Sequence, residues 1–202
     1  MGHPATKPPS ETQSTLQPMS VEEFVPLIAN QEPLELVEGQ VIRKAAPQRR
    51  HGSAQTKLGE LLGPWNRSAG GPRGPGGWWL MTEVDTLYAK TKEVFRHDMQ
   101  GYLRELYPEP PEGFPLPQPP QWACEILSPS NARVDWIKKQ HTLHVHAVPH
   151  YWIIDPQNEL LTVLRYHEEG YRILLTAGRG DVVKAEPFDA VEISIDELFG
   201  YA

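Results

Sequence analysis

The chain has 202 residues, 39% of them hydrophobic and 22% charged, and a formal net charge of −7, which argues against a generic, basic nucleic-acid coat. Twenty-one prolines, roughly twice the usual ~5%, exclude a helical bundle or coiled coil over the whole length. No apolar run approaches the ~20 residues of a membrane helix, and the single cysteine, Cys124, excludes an internal disulfide and a cysteine-based zinc cage, so a soluble cytoplasmic protein is expected.

Residues 1–19 are rich in Pro, Ser and Thr and poor in bulky apolar groups, which predicts a disordered tail ahead of one domain over 20–202. Ser20 reads as the N-cap of a short helix with Glu22 and Glu23 in its first turn and Phe24 and Leu27 facing inward. Residues 34–37 and 41–42 flank Glu38-Gly39 as a tight hairpin. From His51 to about Trp65 the spacing of Leu58, Leu61 and Leu62 predicts a helix. The glycine- and proline-rich run at 70–77 is a loop, and three short strands follow at 78–81, 84–88 and 93–99. Trp78 and Trp79 lean toward the core, with an interface between copies as the other reading. Seven prolines in 108–120 make an extended loop. A strand at 122–127 comes next, then a helix over about 132–147 capped by Ser130 or Asn131. A strand at 151–154 ends in the Asp155-Pro156 turn, and 160–165 and 171–176 complete an antiparallel meander before a closing helix at 195–199. This order predicts an α/β core, one mixed sheet with few helices.

Three charged residues interrupt that apolar pattern. Glu125 lies amid Trp122, Ala123, Cys124, Ile126 and Leu127, where a buried strand is expected, and Asp98 ends a second strand candidate. A buried carboxylate must be paired, protonated or metal-bound. Two such acids converging at one end of a sheet suit a hard divalent cation; the competing reading gives each acid a salt bridge or an edge facing water. Lys139 shares a +3, +4, +4 helical stripe with Trp136, Leu143 and Ala147, so it needs an acidic partner or a mechanistic role, whereas its neighbour Lys138 belongs in solvent. His141, His144 and His146, with His150 beyond them, offer an alternative zinc or nickel site.

Charge is also unevenly placed. Residues 41–80 carry seven basic side chains against one acid, Glu60, so this segment is +6 and the remainder −13. Arg43, Lys44, Arg49, Arg50 and Lys57 are therefore candidate contacts to the nucleic-acid backbone, the alternative being a solvated loop and helix face.

The segments VEEF and LELVEGQVI, then His51, Asp98, WACEILSPSN and DWIKKQHTLHVHAVPHYWIIDP, resemble in content and order the bacterial Uma-two endonuclease group. That group is a branch of the PD-(D/E)xK restriction-nuclease-like superfamily. The resemblance covers about residues 20–200 and is most specific at 125–130 and 148–156. It implies a restriction-endonuclease-like mixed β-sheet core flanked by a few helices. It also implies a metal-dependent endonuclease that hydrolyses DNA phosphodiester bonds with Mg²⁺ or Mn²⁺, acting as a homodimer because each site cuts one strand of a duplex. On this resemblance Asp98 and Glu125 are the metal-holding acids, and Lys139 is the lysine that this branch has moved from the strand to the following helix. Leu127 stands where the strand lysine of the superfamily would lie. Glu35 matches the acid of the early hairpin, with Glu38 as its substitute, and Ser128 matches a serine at the strand end. Two departures stand out: His97 replaces the proline before Asp98, and a proline-rich insertion separates Arg96 from Trp122. They support a second reading, a non-cleaving nucleic-acid- or protein-binding module on the same fold.

Overall fold

The computed structural model describes residues 18–30, 32–68, 75–128 and 132–201, the backbone alone for 132–136. Residues 1–17 of the tail predicted over 1–19, most of the 70–77 loop and the caps Ser130 and Asn131 lie outside the described residues.

Helix α1 (Val21–Ile28) opens on a capping box, in which Ser20 accepts from the Glu23 amide while the Glu23 carboxylate takes the Ser20 amide. It buries Phe24 and Ile28, which lie four apart on one face, whereas Leu27, expected to point inward, is exposed about 100° round the helix from Ile28. The hairpin forms as predicted, with β1 (Leu34–Val37) antiparallel to β2 (Gln40–Arg43). Glu38 and Gly39 both adopt positive φ, the geometry a two-residue hairpin turn requires. Gly39 is also needed for space: a Cβ there would lie 2.4 Å from Cβ of Pro18, and the Met19 amide donates to the Gly39 carbonyl at 2.8 Å. The chain is thus already packed on the hairpin ahead of Ser20.

The strands divide between two principal sheets where one mixed sheet was expected. Strand β4 (Val84–Tyr88) and β5 (Glu93–His97) join the hairpin in a four-stranded sheet of order β2-β1-β5-β4. The second sheet contains β3 (Trp78–Met81), β6 (Met99–Leu103), β7 (Trp122–Ile126), β8 (His150–Asp155), β9 (Leu160–Arg165) and β10 (Arg172–Ala177), in the order β10-β9-β8-β7-β6-β3. The strand predicted over 93–99 ends at His97, β6 beyond it was not expected from the sequence, and the chain passes from one sheet to the other at Asp98. A strand that changes sheets interrupts its ladder, and here the Asp98 carboxylate fills the gap by accepting from the Ile126 amide.

Strands β7 and β8 are parallel, joined by α3 (Ala132–Val145). Alternation along β7 sends Trp122, Cys124 and Ile126 into one apolar cluster and Ala123 to the opposite face. The first cluster is closed by α2 (Arg49–Leu62) through Ala54, Leu58 and Leu62, by the 3-10 turn ending at Trp65, and by the C-terminal elements β11 (Val182–Val183), β12 (Ile193–Ser194) and α4 (Ile195–Leu198). The second holds Leu143 of α3, so Glu125 falls on the α3 side of β7. Lys139 and Leu143 are buried as predicted; Ala147 lies past the end of α3, at positive φ and exposed. Trp78 packs on Phe188 at 5.2 Å and belongs to the core, whereas Trp79 is half-buried beneath the Arg104 guanidinium and outside the core clusters. The 108–120 loop is anchored through Leu116, which exchanges backbone hydrogen bonds with Asp85 and Leu87 along the edge of β4. Among the described residues no helix is long and apolar enough to cross a membrane.

His150 makes part of this fold sensitive to acid. Burial, and then Arg165 opposite it on β9, lower its pKa to about 4, with Asp189 opposing. The imidazole is neutral in the fold but takes a proton in the unfolded chain below about 6.5. Its contribution is therefore complete above pH 6.5 and lost as pH falls toward 4. Urea unfolding at pH 7 and pH 4.5 should show this drop, and His150→Gln should reduce it.

Candidate active site

Three buried acids meet where the two sheets adjoin: Glu35 on β1, Asp98 between β5 and β6, and Glu125 on β7, at 3%, 1% and 8% exposure. Carboxylates so deprived of water stay ionised only with cations or donors at hand.

Lys139 supplies one cation. Its ammonium is 2.8 Å from Glu35 Oε1 and 3.1 Å from Glu125 Oε1, which joins α3 to both sheets. Burial works to lower its pKa, but Glu125 and Glu35 outweigh burial and hold it above the ordinary lysine range. Lys138 pairs with Glu38 at 2.7 Å near the surface, so the hairpin's second acid and the helix's second lysine both lie outside the cluster. Glu35 Oε1 also accepts from the Arg96 amide at 2.9 Å.

His97 fixes Glu125. Its Nδ1 lies 2.6 Å from Glu125 Oε1, and its Nε2 lies 2.6 Å from the Tyr88 hydroxyl. Burial raises the pKa of Glu125, yet Lys139 and the His97 hydrogen bond bring it below the ordinary value. An ionised carboxylate only accepts, so Nδ1 carries the shared proton.

Asp98 is held from three directions. Its Oδ1 is 2.8 Å from the Lys44 ammonium; its Oδ2 accepts from the Ile126 amide at 2.6 Å and lies 3.3 Å from His51 Nε2. Burial opposes ionisation, but the His51 hydrogen bond and the Lys44 charge hold Asp98 well below the usual carboxylate range. The Asp98 carbonyl accepts from Gln55 Nε2 at 2.9 Å, so α2 positions this acid through two side chains one turn apart. Since the Ile126 amide adjoins Glu125, the two acids share one strand end.

The remaining expected residues separate. Lys44, read as a surface phosphate contact, turns inward because Asp98 draws it. Arg43 is exposed and paired with Glu32, Lys57 pairs with Glu60, and Arg49 and Arg50 stand exposed at the start of α2. Beside them a cavity of about 350 Å³ is lined by Gln48, Arg50, His51, Leu127, Ser128, Pro156 and Gln157, and His51, which also contacts Asp98, connects it to the acid cluster. The histidines of the alternative metal site have separate duties: His144 Nε2 on α3 lies 2.8 Å from the His167 carbonyl, and His146, just past α3, meets the Lys90 amide and the Thr142 carbonyl. Among the described residues no three His, Cys, Asp or Glu side chains form a preassembled metal cage.

His97, Tyr88 and Gln55 were not singled out as site residues from sequence. His97 was visible only as the residue replacing a proline, and its partner Glu125 lies 28 residues away.

The strand arrangement and buried acid cluster define a restriction-endonuclease-like α/β protein. The Uma2 family, described as a putative restriction endonuclease, matches residues 21–196, and the chain belongs to that family. Its structure is similar to that of a putative nuclease belonging to DUF820 from Anabaena variabilis ATCC 29413, with TM-score 0.70 and 22% identity over 91% of this chain and 99% of that one. No curated protein matches.

Proposed function

We propose that the protein is an endonuclease that hydrolyses DNA phosphodiester bonds with Mg²⁺ or Mn²⁺. The observation that carries this reading is the joining of Asp98 to the Ile126 amide, which sets two ionised carboxylates at one strand end with Lys139 on the second. That donor set suits a hard divalent ion. Asp98, Glu125 and a main-chain carbonyl beside Glu125 would hold it, and when bound it supplies an activated water and polarises the scissile phosphate.

The chain's own residues do the rest. His97 and Lys139 hold the Glu125 carboxylate in one orientation, and the Lys139 ammonium adds positive charge where the phosphate becomes more negative. Arg50 borders the cavity and, with its neighbour Arg49 at the start of α2, would meet the flanking backbone, while Arg43 on β2 and Lys57 on α2 would add further basic contacts. Contacts of this kind weaken as salt rises. Two copies would place one site on each strand of a duplex.

Incubation with supercoiled plasmid tests the reading. Nicked and then linear product should appear with Mg²⁺ or Mn²⁺ and vanish with EDTA. DNA retention without cleavage in either metal would favour a binding module, a reading to which the Lys44–Asp98 contact lends weight because it places a cation on a metal-holding acid.

A further inference from the structure

We propose that Lys44 is a tethered cation that occupies Asp98 in the absence of a divalent ion and thereby weakens the protein's affinity for that ion; this rests on the metal site proposed above. The Lys44 ammonium sits among three oxygens: Asp98 Oδ1 at 2.8 Å, the Arg96 carbonyl at 2.7 Å and Glu83 Oε2 at 3.3 Å. Two carboxylates and a main-chain carbonyl are the donors a hard divalent cation selects. The ammonium thus stands in a shell suited to the ion it excludes.

Its placement is built into the fold. The Lys44 amide donates to the Pro33 carbonyl at 2.8 Å, which fixes the backbone just beyond β2. The side chain is only 14% exposed, so its reach to Asp98 is no surface excursion. Lys139 is differently engaged: Glu35 and Glu125 hold it on the other side of the cluster. Lys44 is the lysine in direct contact with Asp98 among the described residues.

An ion binding Asp98 meets this ammonium across a single oxygen, and the two cations repel. The lysine must yield. Glu83 gives it somewhere to go, because its side chain is 43% exposed and already touches the ammonium from the outer side. Gln55, 3.3 Å from Glu83 Oε1, keeps that acceptor beside the site. Metal entry is then an exchange, with Lys44 moving outward along Glu83 as the ion takes Asp98. The four-carbon stem of lysine permits this motion.

Calorimetric titration with MnCl₂, read beside thermal melting, tests the exchange. Lys44→Met keeps the stem and removes the charge, so it should bind Mn²⁺ about 10-fold more tightly than the wild type. Without metal it should melt lower, because Asp98 and Glu83 lose their cation; Mn²⁺ should raise its melting temperature more than that of the wild type. Lys44→Gln, closer to the lysine in polarity, should shift binding the same way and serves if the methionine variant does not fold. Equal or weaker Mn²⁺ binding by the folded variants would overturn the role of Lys44 while leaving the metal site standing. Absence of Mn²⁺ binding by the wild type and both variants would overturn both.

Discussion

Replacing Lys139 with methionine should destabilise the fold by about 3–5 kcal/mol, because it keeps the volume but leaves two buried carboxylates short of their common cation. Glu35 would retain the Arg96 amide and Glu125 would retain His97, but neither replaces a full charge at 2.8–3.1 Å. For a chain of this size the loss corresponds to a fall of roughly 10 °C in melting temperature. Glu35→Gln in the same chain should recover part of it, since one of the stranded charges is then gone, and the double-mutant cycle should show strong coupling between the two positions. A loss below about 1 kcal/mol for Lys139→Met, the range of exposed ion pairs, would show that the acids are solvated enough to stand without it.

The pH range of this support follows from the same contacts. Asp98 and Glu125 have folded pKa values below their unfolded ones, so their contribution is present above the ordinary carboxylate range and lost as pH falls through the folded values. Lys139 and Lys44 are raised, so theirs is complete below the unfolded lysine value and lost only as pH rises through the folded ones. The network is intact across neutral pH, and weakening as pH falls below 6.5 begins with histidines outside the acid cluster, His150 and His146, both lowered by burial.

Much of the site was legible because it breaks a pattern. Glu125 interrupts an apolar strand, and Lys139 lies on the buried stripe with Leu143, so a charge in the wrong place marked both. Lys44 gave no such signal. It follows Arg43 in a basic, largely exposed stretch, and what separates the two is contact with residues 52 and 54 positions away. The division into two sheets was hidden for a similar reason: the strand expected over 93–99 runs through the switch at Asp98, and only the partners chosen by β5 and β6 distinguish them. Local periodicity misled at Leu27, one position before the buried Ile28, and at Ala147, where the helix had ended. The 108–120 loop showed its irregularity in its prolines but not its docking site, which depends on Leu116 finding β4.

The other large effect is on the reaction. Asp98→Asn and Glu125→Gln each keep the shape of the side chain and remove the charge that would hold the divalent ion, so either should lower DNA cleavage by about 10³-fold or more. The two variants differ in what they disturb. With Asp98→Asn the Lys44 ammonium still has Glu83, whereas Glu125→Gln leaves Lys139 with Glu35 as its one charged partner. Both should remain folded, as circular dichroism can confirm, so that lost cleavage reports on the site. The single most direct measurement is the first-order rate of supercoiled-plasmid cleavage at saturating Mn²⁺ by the wild type and these two folded variants. Metal-dependent cleavage by the wild type, reduced about 10³-fold or more in both variants, is the expected result; cleavage that survives both substitutions would contradict the assignment of Asp98 and Glu125 as the reactive centre.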